Sequence, residues 1–288
     1  MGTRILYYGL LIPLSYLPFG ILYIISDVIF FVVYRLFGYR RKVVFNNIKN
    51  SFPEKDQAEL RAIEKEFYRH LSDLIVESIK TFTISKEEAL QRLRVKNPEV
   101  LDKFYEQGKD VVTVGGHNSN WELYAVVCAL QIKHNAVALY TALTNPVFDK
   151  KMRESRSRYG LDMIPTSQKE EMLKNKKGPT IYIFGIDQCP KKRQRAYWMK
   201  FLNQDTAVQF GAEKFAREHD LPVVFGNITK VKRGYYEVVY EVLAEDVKTL
   251  ETGEVMRLST LMLERHIKEQ PAYWLWSHKR WKLNKPQA

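Results

Sequence analysis

The chain has 288 residues, 45% of them apolar and 27% charged. That is enough to bury one large core and excludes a disordered chain. Its two cysteines, Cys128 and Cys189, lie in no C-x-x-C or zinc pattern and exclude a disulfide framework, while the net charge of +12 suits an acidic partner such as an anionic membrane, an acidic protein or nucleic acid.

The stretch Ile5 to Ser26 carries no charge over 22 residues, and Asp27 is the only formal charge up to Tyr34. A helix of about 20 apolar residues spans a bilayer core, so this segment predicts an N-terminal hydrophobic membrane-anchoring helix. Pro13 and Pro18 should kink or break it, which leaves a straight span, a bent hairpin and an interfacial anchor all open. A cleaved signal fits poorly, because the run is long and no small-x-small site follows. Arg4 alone precedes the run, whereas Arg35, Arg40, Arg41 and Lys42 follow it. Positive residues stay cytoplasmic, so residues 43–288 are expected on the cytoplasmic side against an anionic membrane surface, with residues 1–42 as anchor and basic exit.

Residues 43–94 read as helical, with Ile63, Phe67, Leu71, Leu74, Ile75, Ile79 and Phe82 near a 3.6 spacing after the helix start SFPEKDQAEL. His70 falls in this helix and is expected to be a surface or core residue without a chemical role. Strands are expected at 110–116, 136–143, 161–166, 179–188, 221–231 and 235–243, and helices at 122–131, 146–159, 207–219 and 258–269. Strands alternating with helices predict an α/β fold with a mixed, largely parallel central sheet flanked by helices.

The most informative segment is GGHNSNWE, residues 115–122. A strand ends on two glycines, His117 follows, and a helix starts near Asn118 or Asn120, which are good caps. On a regular helix the five-step spacing from His117 to Glu122 turns their side chains about 140° apart. With His117 in the strand-to-helix turn, Glu122 in the first helical turn can reach one imidazole nitrogen and stabilise the imidazolium. The other nitrogen is then a general base for an alcohol. On spacing alone, a turn-capping histidine and a helix-favouring glutamate fit equally well.

The segment GGHNSNWE resembles the H-x-x-x-x-D/E signature of the lysophospholipid acyltransferase superfamily, and its N-W-E form resembles the bacterial lipid A biosynthesis (lauroyl/myristoyl) acyltransferase branch. NPVFDKKMRESRSRYG resembles a second block of that branch and points to Arg156 and Arg158. FGIDQCPKKRQRAYWMKFLNQDTAVQFGAEKFAR resembles a third, with Asp187 and Gln188 at its head and Thr206 in its middle. YWLWSHKRWK resembles the Trp-x-His-x-Arg ending. The third block usually carries a glycine before the threonine, where this chain reads Phe201-Leu202-Asn203. The resemblance implies a glycerolipid acyltransferase-like fold. It implies an O-acyltransferase of lipid A (lipopolysaccharide) biosynthesis at the inner membrane. The acyl thioester would come from acyl carrier protein or coenzyme A as co-substrate, with no further cofactor and no metal. A hydroxyl of a lipid A precursor, or of another lysolipid or aminolipid, would accept the chain. His117 would be the base and Glu122 its orienting partner, with Asn120, Arg156, Arg158, Asp187, Gln188 and Thr206 toward the substrate. Arg156 suits a phosphate or carbonyl oxygen. The basic cluster Lys191, Lys192, Arg193, Arg195 and Lys200 suits an acidic carrier protein.

Other classes are disfavoured. No nucleic-acid-binding motif accompanies the charge, and no G-x-S-x-G elbow marks a serine hydrolase. A histidine-activated water would release free fatty acid, and a non-catalytic scaffold would tolerate His117→Ala.

Overall fold

The computed structural model describes residues 2–191 and 196–285. In it the N-terminal apolar run becomes two helical pieces. α1 (Gly2–Leu6), a π-helical turn over Tyr7–Leu11 and α2 (Ile12–Tyr16) form the first; α3 (Phe19–Phe30), prolonged by a π-helical stretch over Phe31–Leu36, forms the second. Only one of the two prolines breaks the chain. Pro13 is accommodated in the first turn of α2, and the break falls at Leu17, extended at ψ 145° ahead of Pro18. By length and composition, Phe19–Leu36 qualifies as a candidate membrane anchor.

The expected helical region over 43–94 is three helices, α4 (Arg41–Ser51), α5 (Gln57–Lys80) and α6 (Lys86–Arg92). Asp56 starts α5 with a capping box. Its carboxylate accepts from Glu59 N at 2.8 Å, and its own N–H donates to the Glu59 carboxylate at 3.0 Å. Ile63, Phe67 and Leu74 of α5 are buried as their spacing predicts, whereas Ile75 is 38% exposed, off the stripe. The same helix buries Glu64, His70, Asp73 and Glu77, which the apolar period does not reveal.

The chain then alternates. β1 (Leu93–Val95) and α7 (Glu99–Glu106) precede β2 (Val111–Gly115), α8 (Trp121–Val127), β3 (Asn135–Tyr140), α9 (Pro146–Arg156), β4 (Leu161–Pro165), α10 (Lys169–Lys174) and β5 (Thr180–Gly185). After the hairpin β6 (Ala196–Phe201) and β7 (Gln204–Gln209) come α11 (Gly211–His219), β8 (Val223–Lys232), β9 (Tyr235–Ala244) and α12 (Glu254–Glu269). Among the described residues the main sheet has the order β1-β9-β8-β2-β5-β3-β4. Only the β8–β9 pair is antiparallel. The sheet is thus mixed and mostly parallel, with helices on both faces. Alternate residues of β2 explain the two cores. Val112 and Val114 pack with Phe215 of α11 and Leu263 of α12, whereas Val111 packs with Leu123 and Val126 of α8 and Phe104 of α7.

The helix expected at 207–219 is shorter than its sequence suggests. Residues up to Gln209 belong to β7, and α11 begins at Gly211. The β6–β7 turn falls where a glycine was expected. Leu202 and Asn203 both take positive φ, 49° and 65°, as a two-residue hairpin turn demands. Asn tolerates this conformation readily; Leu202 is held there with its side chain fully buried and its N–H donated to Glu264 at 2.7 Å.

Candidate active site

Parallel pairing of β2 with β5 sets Gly115 opposite Gly185. Two residues beyond each strand end lie His117 and Asp187, so the sheet register brings them together. His117 Nδ1 stands 2.6 Å from Asp187 Oδ1, and the backbone N–H of His117 donates to Asp187 Oδ2 at 2.7 Å. The indole N–H of Trp274 donates to the same Oδ2 at 2.8 Å. Asp187 is 4% exposed. Burial alone would raise its pKa, but the charge of His117 and these three donors hold it well below the usual carboxylate range. Burial would lower the His117 imidazole, and Asp187, by charge and hydrogen bond, outweighs it with help from Glu122; the net shift is upward. The Gln188 amide nitrogen lies 3.4 Å from His117 Nε2, the nitrogen left for chemistry.

Glu122 does not take the place expected for it beside the imidazole. It lies in the first turn of α8 and forms a two-point pair with Arg156 at the end of α9, at 2.9 Å from Nε and 2.7 Å from Nη2. Trp121 Nε1 adds a third donor at 3.1 Å. Asp187, arriving from β5, already occupies Nδ1, and the helical turn points Glu122 toward α9.

The loop between β2 and α8 is held from beneath. Ser119 takes φ 52° and donates its N–H to Tyr273 O at 2.7 Å, and Asn118 bridges to Trp274. Asn120 caps α8, accepting from Leu123 N at 2.8 Å, and its amide donates to buried Glu77 at 2.6 Å. It therefore supports the loop from behind. His70 is a core histidine, as expected. Burial, with Lys230 adding, pushes it down to about 3, so it is neutral. Its Nε2 lies 3.0 Å from Ser119 O, which ties α5 to the loop.

His117 and Arg156 line one cavity of about 200 Å³, together with Trp121, Tyr124, Ala138 and Met163. It lies at the carboxyl ends of the parallel strands, where α/β sheets bind ligands. Glycines make room for it. A Cβ on Gly115 would stand 2.8 Å from Gly226 O, and one on Gly185 would stand 3.2 Å from His117 Cε1. Gly185→Ala is expected to press on an imidazole already fixed by Asp187 and to lower kcat about tenfold with little change in KM, measured by steady-state kinetics. A larger hollow of about 520 Å³ lies at the opposite ends of β3 and β5, around Asn135, Lys176 and Thr180, and has no histidine in its wall.

Besides Asn120, two further residues singled out in the sequence lie away from the cavity. Arg158 donates to the carbonyls of Phe82 and Ile84, fastening the turn after α5. Thr206 is buried in the β6–β7 hairpin, accepting from Trp281 Nε1 at 2.7 Å. Of the basic cluster, Lys192, Arg193 and Arg195 lie outside the described residues, and Lys200 pairs with Asp205 at 3.2 Å. Trp274 and Glu77 carry much of the support and stand out in no local pattern; the tryptophan-rich ending was the one available signal for the former. Among the described residues no group of three or more His, Cys, Asp and Glu side chains is arranged to hold a metal ion.

A family profile described as bacterial lipid A biosynthesis acyltransferase matches residues 1–283. No curated protein matches the chain.

Proposed function

The chain belongs to the bacterial lipid A biosynthesis acyltransferase family and is an acyltransferase of that type, and on that premise we propose that it moves a fatty acyl chain from acyl carrier protein to a hydroxyl of a lipid A precursor, at the cytoplasmic side of the inner membrane. One observation supports this most. An aspartate-oriented histidine, its Nε2 not engaged by the aspartate, lines a mostly apolar cavity with a fixed arginine in its wall.

In this reading His117 Nε2 takes the proton of the acceptor hydroxyl as the oxygen attacks the thioester carbonyl. Asp187 keeps the proton on Nδ1 and stabilises the imidazolium. The carbonyl oxygen gains negative charge, and Arg156, held by Glu122, offers its remaining N–H groups to that oxygen or to an acceptor phosphate. The C–S bond then breaks, and the leaving thiolate recovers the proton from His117. The ester and the free thiol balance the equation, and no acyl-enzyme forms. The fatty tail lies over the glycines of β2, β5 and β8 against Ala138 and Met163. Lys191 is exposed and offers a positive charge to an acidic carrier protein.

The test is mass spectrometry of total lipids from cells lacking the protein. A lipid A species short of one acyl chain, restored by the wild-type gene, is expected. Intact lipid A with a different lysolipid accumulating would replace the acceptor, and an unchanged lipid profile would overturn the reading.

A further inference from the structure

We propose that the N-terminal segment lies flat on a single anionic membrane leaflet with one apolar face inserted, and does not cross the bilayer. By composition the opposite looks natural. Phe19–Leu36 has 18 residues and a mean hydropathy of 1.9, and its length of about 27 Å comes close to a bilayer core.

Its packing argues otherwise. The segment runs antiparallel to α5 over its whole length. Lys80 Nζ donates to Leu17 O at 3.0 Å, Tyr23 to Glu77 at 3.0 Å and Ser26 to Asp73 at 2.7 Å. The Arg69 guanidinium stacks 5.5 Å from the Phe30 ring, and Arg41 reaches Glu64 at 3.2 Å. From the side, Arg233 joins Asp27 at 2.7 Å and Asp73 at 2.6 Å. A segment fastened this way can cross a bilayer only by carrying α5 with it. That helix holds Arg61, Glu64, Lys65, Glu66, Arg69, Asp73, Glu77 and Lys80, and ionised side chains at membrane depth are costly. Glu77 and His70 of α5 also reach the catalytic loop, so α5 belongs with the body.

The outward face is apolar. Ile21, Ile24, Val28 and Phe31 are 46%, 65%, 59% and 55% exposed, and their spacing of three, four and three residues forms one stripe. Cations flank both ends of the segment. Arg4 shares a surface hollow with Lys150 and Lys151 of α9, and Arg35 and Lys42 are exposed at the other end. A spanning helix sorts its basic residues to one side; basic residues at both ends of an apolar stripe match one negatively charged surface.

Two measurements on the full chain test this. Gly2→Cys and Phe37→Cys are each exposed to a membrane-impermeant maleimide in intact spheroplasts and in inverted vesicles; the native cysteines are buried. Both positions are expected to react in inverted vesicles only. Reaction of one of them in spheroplasts only would overturn the proposal. With purified protein, Ile24→Glu combined with Val28→Glu is expected to lower binding to phosphatidylglycerol vesicles about tenfold or more, and wild type is expected to prefer these over phosphatidylcholine vesicles. Unchanged binding by the double variant, or no preference for the anionic lipid, counts against the inserted stripe or the charge match respectively.

Discussion

His117→Ala is expected to lower kcat by about 10²–10⁴-fold, the span typical of a lost general base. The remaining rate reflects binding and Arg156. The fold should survive, because the ring is partly exposed in the cavity wall and its backbone N–H, which anchors Asp187, is unchanged. The check is steady-state kinetics with an acyl thioester beside circular dichroism. Turnover within a few-fold of wild type in a folded variant would remove His117 from the chemistry. The pH profile adds a sign. The base must be neutral to accept a proton, and Asp187 raises its pKa in spite of burial. Activity should therefore rise with pH through a midpoint above about 6.5, the ordinary histidine value.

Asp187→Asn is expected to cost a similar factor through a different atom. One carboxylate oxygen accepts from two fixed donors, the His117 backbone N–H and Trp274 Nε1. An asparagine must turn its carbonyl to that pair, which points its NH₂ at His117 Nδ1. The imidazole then accepts at Nδ1 and carries its proton on Nε2, so the nitrogen facing the substrate is no longer a base. The acid limb should also move to lower pH, since the charge that raises the imidazole is gone. A variant with near-normal kcat and an unshifted limb would mean that Asp187 only fills space.

Much of this site was legible in the sequence, and the part that was not has a physical cause. His117, Arg156, Asp187 and Gln188 stand out in their blocks; His117 and Arg156 line one cavity, and Asp187 and Gln188 flank the imidazole. The pairing among them was not legible. Short spacing favoured Glu122 as the histidine's partner, yet the real neighbour arrives through strand register, Gly115 against Gly185, which no local pattern carries. The β6–β7 hairpin was hidden for a similar reason. Its turn uses Leu202-Asn203 in place of glycine, and AVQFGAEKFAREH reads as one helix because its strand part ends just two residues before Gly211. Buried Glu77 and Asp73 were invisible because the apolar period of α5 says nothing about polar residues between its stripes and a second helix. Asn120, Arg158 and Thr206 come from the same blocks as the residues gathered at the imidazole, and in this chain they support the framework.

The three-donor grip on Asp187 has a consequence for the order in which the protein matures. His117 is 70 residues from Asp187, and Trp274 another 87 beyond it. During synthesis the strands and the histidine emerge long before the tryptophan, at about 5–20 residues per second. A nascent chain can thus have its sheet and its base while the carboxylate still lacks its indole donor and Ser119 its tether to Tyr273. The grip on Asp187 is therefore complete only once the segment bearing Tyr273 and Trp274 has docked against the loop after β2.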